Sequence, residues 1–187
     1  PAKLEDTLKA LIGTAKIQEW MRKENFGAFL NTWGRSLATY GSSVLKFVEK
    51  GDDLIPMVMP WQTIIIDAVD FEGNNVIEIL QLTPAQLRMR EGYDQEVVEA
   101  LIDTKTSREL NDGQNKDNKS NYIKLYEIHG NLPKSYLTGD DEDEKTYVQQ
   151  MHVVSFVEGK SEGEFDDFTL VSGKEKKNPY MITSTCT

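Results

Sequence analysis

Two acidic segments come closest to a metal-binding pattern. The run Asp140–Glu144 is wholly acidic, and Asp112–Asp117 begins and ends on aspartate. Calcium loops place oxygen ligands at alternating positions, with a glycine at the sharp turn and a closing Glu. The first run lacks that glycine, and in the second segment Lys116 stands where a ligand would be needed. We interpret both segments as solvated loops and predict no metal ligand and no cofactor.

The serines that follow a predicted turn at Gly41 are the candidate nucleophiles. Ser42 and Ser43 do not lie in a Gly-x-Ser-x-Gly elbow, the strained turn that exposes a catalytic serine. A serine nucleophile also needs a positioned base, and nothing in the sequence singles out a histidine for that role. We therefore predict no catalytic serine.

Two histidines and two aspartates are the remaining acid–base candidates. His129 and His152 lie in strand-like segments and can face each other across a sheet, although a surface or hydrogen-bonded structural position is the commoner outcome. Asp67 and Asp70 flank a predicted strand end, where catalytic carboxylates can lie, but turn-forming aspartate is commoner there. The enzyme hypothesis is weak, and we predict no catalytic residue.

Phosphate loops and cysteine sites are absent from the sequence. Neither GxxxxGK[ST] nor GxGxxG occurs, so the usual glycine-rich cradles for phosphate are missing. Cys186 is the single cysteine, which excludes an internal disulfide and a cysteine-based metal cluster.

The charge of the chain is strongly negative and unevenly distributed. The formal net charge is −10 at pH 7. Residues 1–50 carry eight Lys and Arg against five Asp and Glu, whereas the remainder carries thirteen against twenty-six. Tight binding to duplex DNA requires clustered cations that neutralise phosphates, and the sequence has no such cluster. We expect at most transient, non-specific contact with DNA.

The length of 187 residues suits one ordinary domain with a hydrophobic core. No apolar run reaches the roughly 20 residues that span a bilayer, and the N-terminus does not have the pattern of a signal peptide. We expect no membrane partner. Because the sequence starts at Pro1 and stops at a strand-like MITSTCT, we expect a piece of a longer or processed protein.

Residues 1–41 are predicted to be helical. A second helix, α2, is predicted over residues 26–40. It begins after Asn25, which can cap it, and ends at Gly41, because glycine tolerates the positive φ of a helix C-terminus. Its large apolar residues recur at spacings of three and four and define the α2 stripe: Phe26, Phe29, Leu30, Trp33, Leu37 and Tyr40. We interpret this stripe as a core face packed on a sheet and keep a partner-binding surface as the alternative.

Residues 42–187 are predicted to be β-rich with an inserted helical hairpin. Pro56 indicates an edge strand or an irregular entry into a strand. The isoleucines of Gln62–Asp67 indicate a strand covered on both faces. The hairpin begins with a capping box at Thr83–Gln86 and restarts at Asp94. We predict a long connection over Gly130–Lys145 and a loop over Asn111–Asn121. Helices followed by strands that pair mostly antiparallel indicate an α+β fold and one domain over 1–187.

The order of these segments resembles the wing region of tailed-bacteriophage portal proteins. The resemblance covers about residues 25 to 182 and rests on five short motifs in the family's order. They are Tyr40–Phe47 (YGSSVLKF), Val58–Asp67 (VMPWQTIIID), Leu82–Leu101, Ile123–Pro133 (IKLYEIHGNLP) and Lys177–Tyr180 (KNPY). The stem, clip and crown segments of a full portal are not present in the sequence, so the resemblance implies an N-terminal wing fragment.

The resemblance implies a structural, non-enzymatic role in the virion. Portal proteins form homo-oligomeric rings, usually dodecamers, at one capsid vertex. Genome DNA passes through the ring during packaging and ejection. The expected partners are further copies of the chain, the capsid protein, the terminase and the tail or neck adaptor. Two alternatives stay open: an adaptor module that binds a protein partner, and an enzyme with an unrecognised carboxylate or histidine site.

Overall fold

A computed structural model describes residues 2–51, 53–67, 75–111, 121–158, 165–175 and 178–184. The described residues form helices and antiparallel sheets, so the fold class is α+β, as predicted. They group into a first unit, Pro1–Pro60 with Pro179–Thr187, and a second unit, Trp61–Asn178. The helices end at Tyr40 and the first strand begins at Ser42, as predicted, and the first unit combines these helices with strands from both ends of the chain. That residues 1–187 form one domain stays a prediction.

The first unit begins with two helices, α1 (Ala2–Lys23) and α2 (Phe26–Tyr40). Helix α2 ends as predicted: Gly41 adopts φ 72°, and its N–H donates to Leu37 O at 2.9 Å. The prediction that Asn25 caps α2 is only partly right. Asn25 holds the N-cap position at φ 49°, but its side chain makes no capping hydrogen bond. In the described ranges, no helix is long and apolar enough to cross a membrane.

Three antiparallel strands complete the described part of the first unit. They are β1 (Ser42–Lys50), β2 (Asp53–Met59) and β8 (Tyr180–Ser184), in the order β2-β1-β8. Pro56 therefore lies in an edge strand, as predicted, where its missing N–H costs no ladder hydrogen bond.

The second unit contains a sheet of β3 (Ile64–Ile65), β4 (Val76–Leu82), β5 (Ile123–Pro133), β6 (Tyr147–Glu158) and β7 (Phe165–Glu175), in that order. The prediction of a strand over Gln62–Asp67 covered on both faces is wrong. Trp61–Thr63 form a single 3-10 turn, and the two-residue β3 pairs with β4 at the sheet edge. Ile65 is half exposed there.

The prediction of a long connection over Gly130–Lys145 is also wrong for the first residues of that range. Strand β5 continues to Pro133, which pairs with Tyr147 of β6. A short helix α5 (Ser135–Thr138) and a 3-10 turn over Asp141–Lys145 then lead into β6. The acidic run is an ordered turn, because the carboxylate of Asp140 accepts from Glu142 N at 3.0 Å.

Helices α3 (Pro84–Arg88) and α4 (Gln95–Asn111) form the predicted hairpin over this sheet. The capping box at Thr83 is present: Gln86 N donates to Thr83 Oγ1 at 3.3 Å, and Thr83 N donates to Gln86 Oε1 at 2.9 Å. Asp94 caps α4 by accepting from Glu96 N at 3.0 Å. The buried core between hairpin and sheet consists of Leu87, Val98, Leu101, Ile102, Ile123, Leu125, Val153 and Leu170.

Candidate functional site

An open apolar groove of about 660 Å³ lies in the first unit, between its helices and one face of its sheet. Side chains alternate between the two faces of a strand, so Leu45 and Phe47 of β1 project to the same side. Met181 is the register partner of Leu45, and Pro56 is the partner of Phe47, which extends this apolar face across all three strands. We call this cavity the aromatic groove.

A continuous row of aromatic rings forms the helical wall of the aromatic groove. Trp20 of α1 contacts Phe26 with ring centroids 5.4 Å apart, and Phe26 contacts Phe29 at 5.1 Å. Phe29 and Trp33 are stacked, with centroids 6.3 Å apart and an interplanar angle of 6°. These distances fall in the range of favourable ring pairs. Because each ring contacts the next, the row holds the aromatic side chains of this wall in place.

The polar groups that line the aromatic groove already have partners within the first unit. The Asp53 carboxylate accepts from Lys23 Nζ, and Thr183 Oγ1 accepts from Trp33 Nε1 at 2.9 Å. Sites for polar small molecules combine apolar walls with a few convergent polar groups that orient the ligand. Because the two polar lining groups are engaged, the groove is suited to apolar side chains.

The interpretation of the α2 stripe as a buried core face packed on a sheet is only partly right. The stripe faces the sheet, but no residue of α2, which the structure describes in full, is buried. Leu30 and Tyr40 remain 42% and 57% exposed. Rings of the stripe line one side of the aromatic groove, and the apolar face of the sheet lines the other. The alternative, a partner-binding surface, therefore matches the geometry better.

Helix α1 exposes apolar side chains along most of its length. Leu4, Leu8 and Leu11 follow a helical spacing of four and three, which places them on one side of the helix. Leu4 and Leu11 are 67% and 65% exposed, and Leu8 is about half exposed. We call these three residues the arm stripe. Its leucines lie largely in solvent within this chain.

A second cluster, of ionisable groups, lies on the helix-covered face of the second unit's sheet. Glu78 of β4 is opposite Glu127 of β5, and His129 Nε2 lies 2.7 Å from Glu127 Oε1. Burial raises the pKa of the nearby Tyr93 phenol, Arg90 lowers it, and the negative Glu127 and Glu78 raise it further. A carboxylate–imidazole pair can exchange a proton, but the His129 side chain is only 1% exposed, which closes it to a substrate.

The structure keeps the two histidines apart. His129 pairs in register with Met151, and His152 pairs with Ile128. Neighbouring residues of a strand point to opposite faces, so the two imidazoles lie on opposite sides of the sheet. The expectation that they can face each other is therefore wrong. The commoner outcome, a hydrogen-bonded structural histidine, holds for both, since His152 Nε2 lies 2.9 Å from Gln150 Oε1.

The other predicted candidates do not converge with these histidines. Asp67 is exposed beyond β3, and Ser43 is fully buried within β1, where a substrate cannot reach it. Asp70 and the segment Asp112–Asp117 lie outside the described residues. Among the described residues, no group of three or more His, Cys, Asp or Glu is placed to hold a metal ion.

The sequence analysis assigns no role to the Glu78–Glu127 pair, although a signal for it exists. In β4, Val76 and Glu78 lie on the buried side of the strand. Glu78 is two residues from Val76 and two from Leu80, so the three side chains lie on the same face of the strand. A carboxylate on the same face as core residues indicates a buried ionisable group.

No protein-family model matches this chain, and no curated protein matches its sequence.

Proposed function

We propose that this chain is the wing region of a tailed-bacteriophage portal protein, a structural subunit of a ring through which genome DNA passes. The order of the five motifs is one support for the proposal. The α+β fold, with helices first and antiparallel strands after them, is compatible with it. The observation that carries it is the amount of apolar surface that the first unit leaves uncovered.

That apolar surface consists of two features of the first unit. The arm stripe is exposed on α1, and the aromatic groove is open along α2. Contiguous exposed apolar patches mark interaction surfaces or aggregation-prone sites in most proteins. A subunit that is covered by its neighbours in an assembly has a reason to carry such surface. A ring also needs lateral contacts more than it needs a catalytic pocket.

The electrostatics suit a conduit for DNA. Each Lys–phosphate contact strengthens binding and makes it more sensitive to salt. A channel through which DNA moves benefits from weak contact, and a net charge of −10 disfavours tight binding to a polyanion. We expect the chain to make only transient, non-specific contact with DNA.

The proposed role places the protein in the virion, at one capsid vertex. Its partners would be further copies of the chain, usually twelve in rings of this family, together with the capsid protein, the terminase and the tail or neck adaptor. The chemistry of packaging would belong to the terminase motor, and this chain would supply shape without a catalytic or cofactor site.

The main competing function is an adaptor module that binds one protein partner. The aromatic groove is the specific observation in its favour, because an apolar cleft between a helix and a sheet can receive an apolar helix of another protein. The two functions differ in stoichiometry. An adaptor forms a complex with a single partner, whereas a portal subunit associates with itself in a closed ring.

The mass and shape of the purified protein test the proposal. Light scattering after size-exclusion chromatography should give a particle of several copies, and negative-stain images should show closed rings with a central channel. A parallel titration with duplex DNA should show weak binding that salt abolishes. A chain that stays monomeric at every concentration tested, or that binds duplex DNA tightly, would contradict the proposal.

A further inference from the structure

We draw no further inference here: the strongest candidate, the aromatic groove between the helices and the sheet of the first unit, carries nothing further, because nothing in the structure shows what covers it.

Discussion

The Nδ1 atom of His152 accepts a hydrogen bond from the backbone N–H of Gly173, 3.1 Å away. On the other side of the ring, Nε2 faces Gln150 Oε1, while Gln150 Nε2 donates to the carbonyls of Leu132 and Pro133. The amide nitrogen of Gln150 is thus committed as a donor, so its oxygen accepts and His152 Nε2 carries the proton. The neutral imidazole accepts from the Gly173 N–H and donates to Gln150 Oε1. It thus links β6 to β7, and Gln150 extends the link to β5.

Stability should fall on acidification because of His152. Burial lowers the pKa of this imidazole below its ordinary value of 6.5. A proton on Nδ1 would also replace the acceptor of the Gly173 N–H with a second donor. The unfolded chain then binds more protons than the folded chain below pH 6.5. The contribution of His152 is fully present above that pH and is lost as pH falls towards the folded pKa. Urea unfolding at about pH 7.5 and about pH 5.5 measures the difference.

Replacement of the imidazole isolates this effect. His152→Asn should be less stable at neutral pH and should lose less further stability on acidification than the wild-type chain. Thr83→Ala, which is destabilised for an unrelated reason, should keep the full pH dependence. Parallel pH curves for wild type and His152→Asn would contradict the assignment.

Gly173 should tolerate no side chain. Its φ of 36° is unfavourable for other residues, and an added Cβ would lie 3.1 Å from the backbone oxygen of Tyr136 and 3.1 Å from His152 Cε1. Strain and crowding together predict a loss of about 2 kcal/mol in the free energy of unfolding for Gly173→Ala. Gly139→Ala is the control, because Gly139 has φ 71° but open space around its Cα. Strain alone predicts about 1 kcal/mol there. Equal losses in urea unfolding would exclude the proposed crowding.

Loss of the capping box should weaken the helical hairpin. Thr83→Ala removes the hydroxyl that accepts from Gln86 N, and caps of this kind contribute about 1 kcal/mol. Thr106→Ala in α4 is the comparison. The Thr106 hydroxyl bonds to Ile102 O within the helix, and alanine is the better helix former. Urea unfolding should show Thr106→Ala to be neutral or slightly more stable, and the opposite ranking would contradict the capping role.

Tyr93 should ionise later than a tyrosine in water. Burial raises its pKa above 10.0, Arg90 lowers it, and the charges of Glu127 and Glu78 raise it further. The unfolded chain loses this proton first, so the contribution of Tyr93 to stability is complete below about pH 10 and declines above it. Alkaline absorbance titration of the folded protein should contain a late component that Tyr93→Phe removes. Tyr147→Phe, at a mostly exposed position, should leave that component in place.

Local features of this chain followed from the sequence. Gly41 ends α2, the capping box starts α3, Asp94 caps α4, and Pro56 lies in an edge strand. Each depends on a residue's own backbone preferences and on partners within about four positions. The helices-first order likewise indicated the α+β class. The portal assignment and the absence of enzymatic function stay predictions.

Only the tertiary structure decided which side chains meet. The pairing of β5 with β6 sends His129 and His152 to opposite faces, and a shift of one residue would have reversed one strand's faces. The same pairing logic sets Glu78 opposite Glu127 and leaves β3 at an edge. The aromatic groove combines residues of α1, α2 and all three strands of the first unit, and only the packing of the helices on the sheet brings these residues together. Strand register and helix packing depend on contacts between distant segments, which local periodicity does not encode.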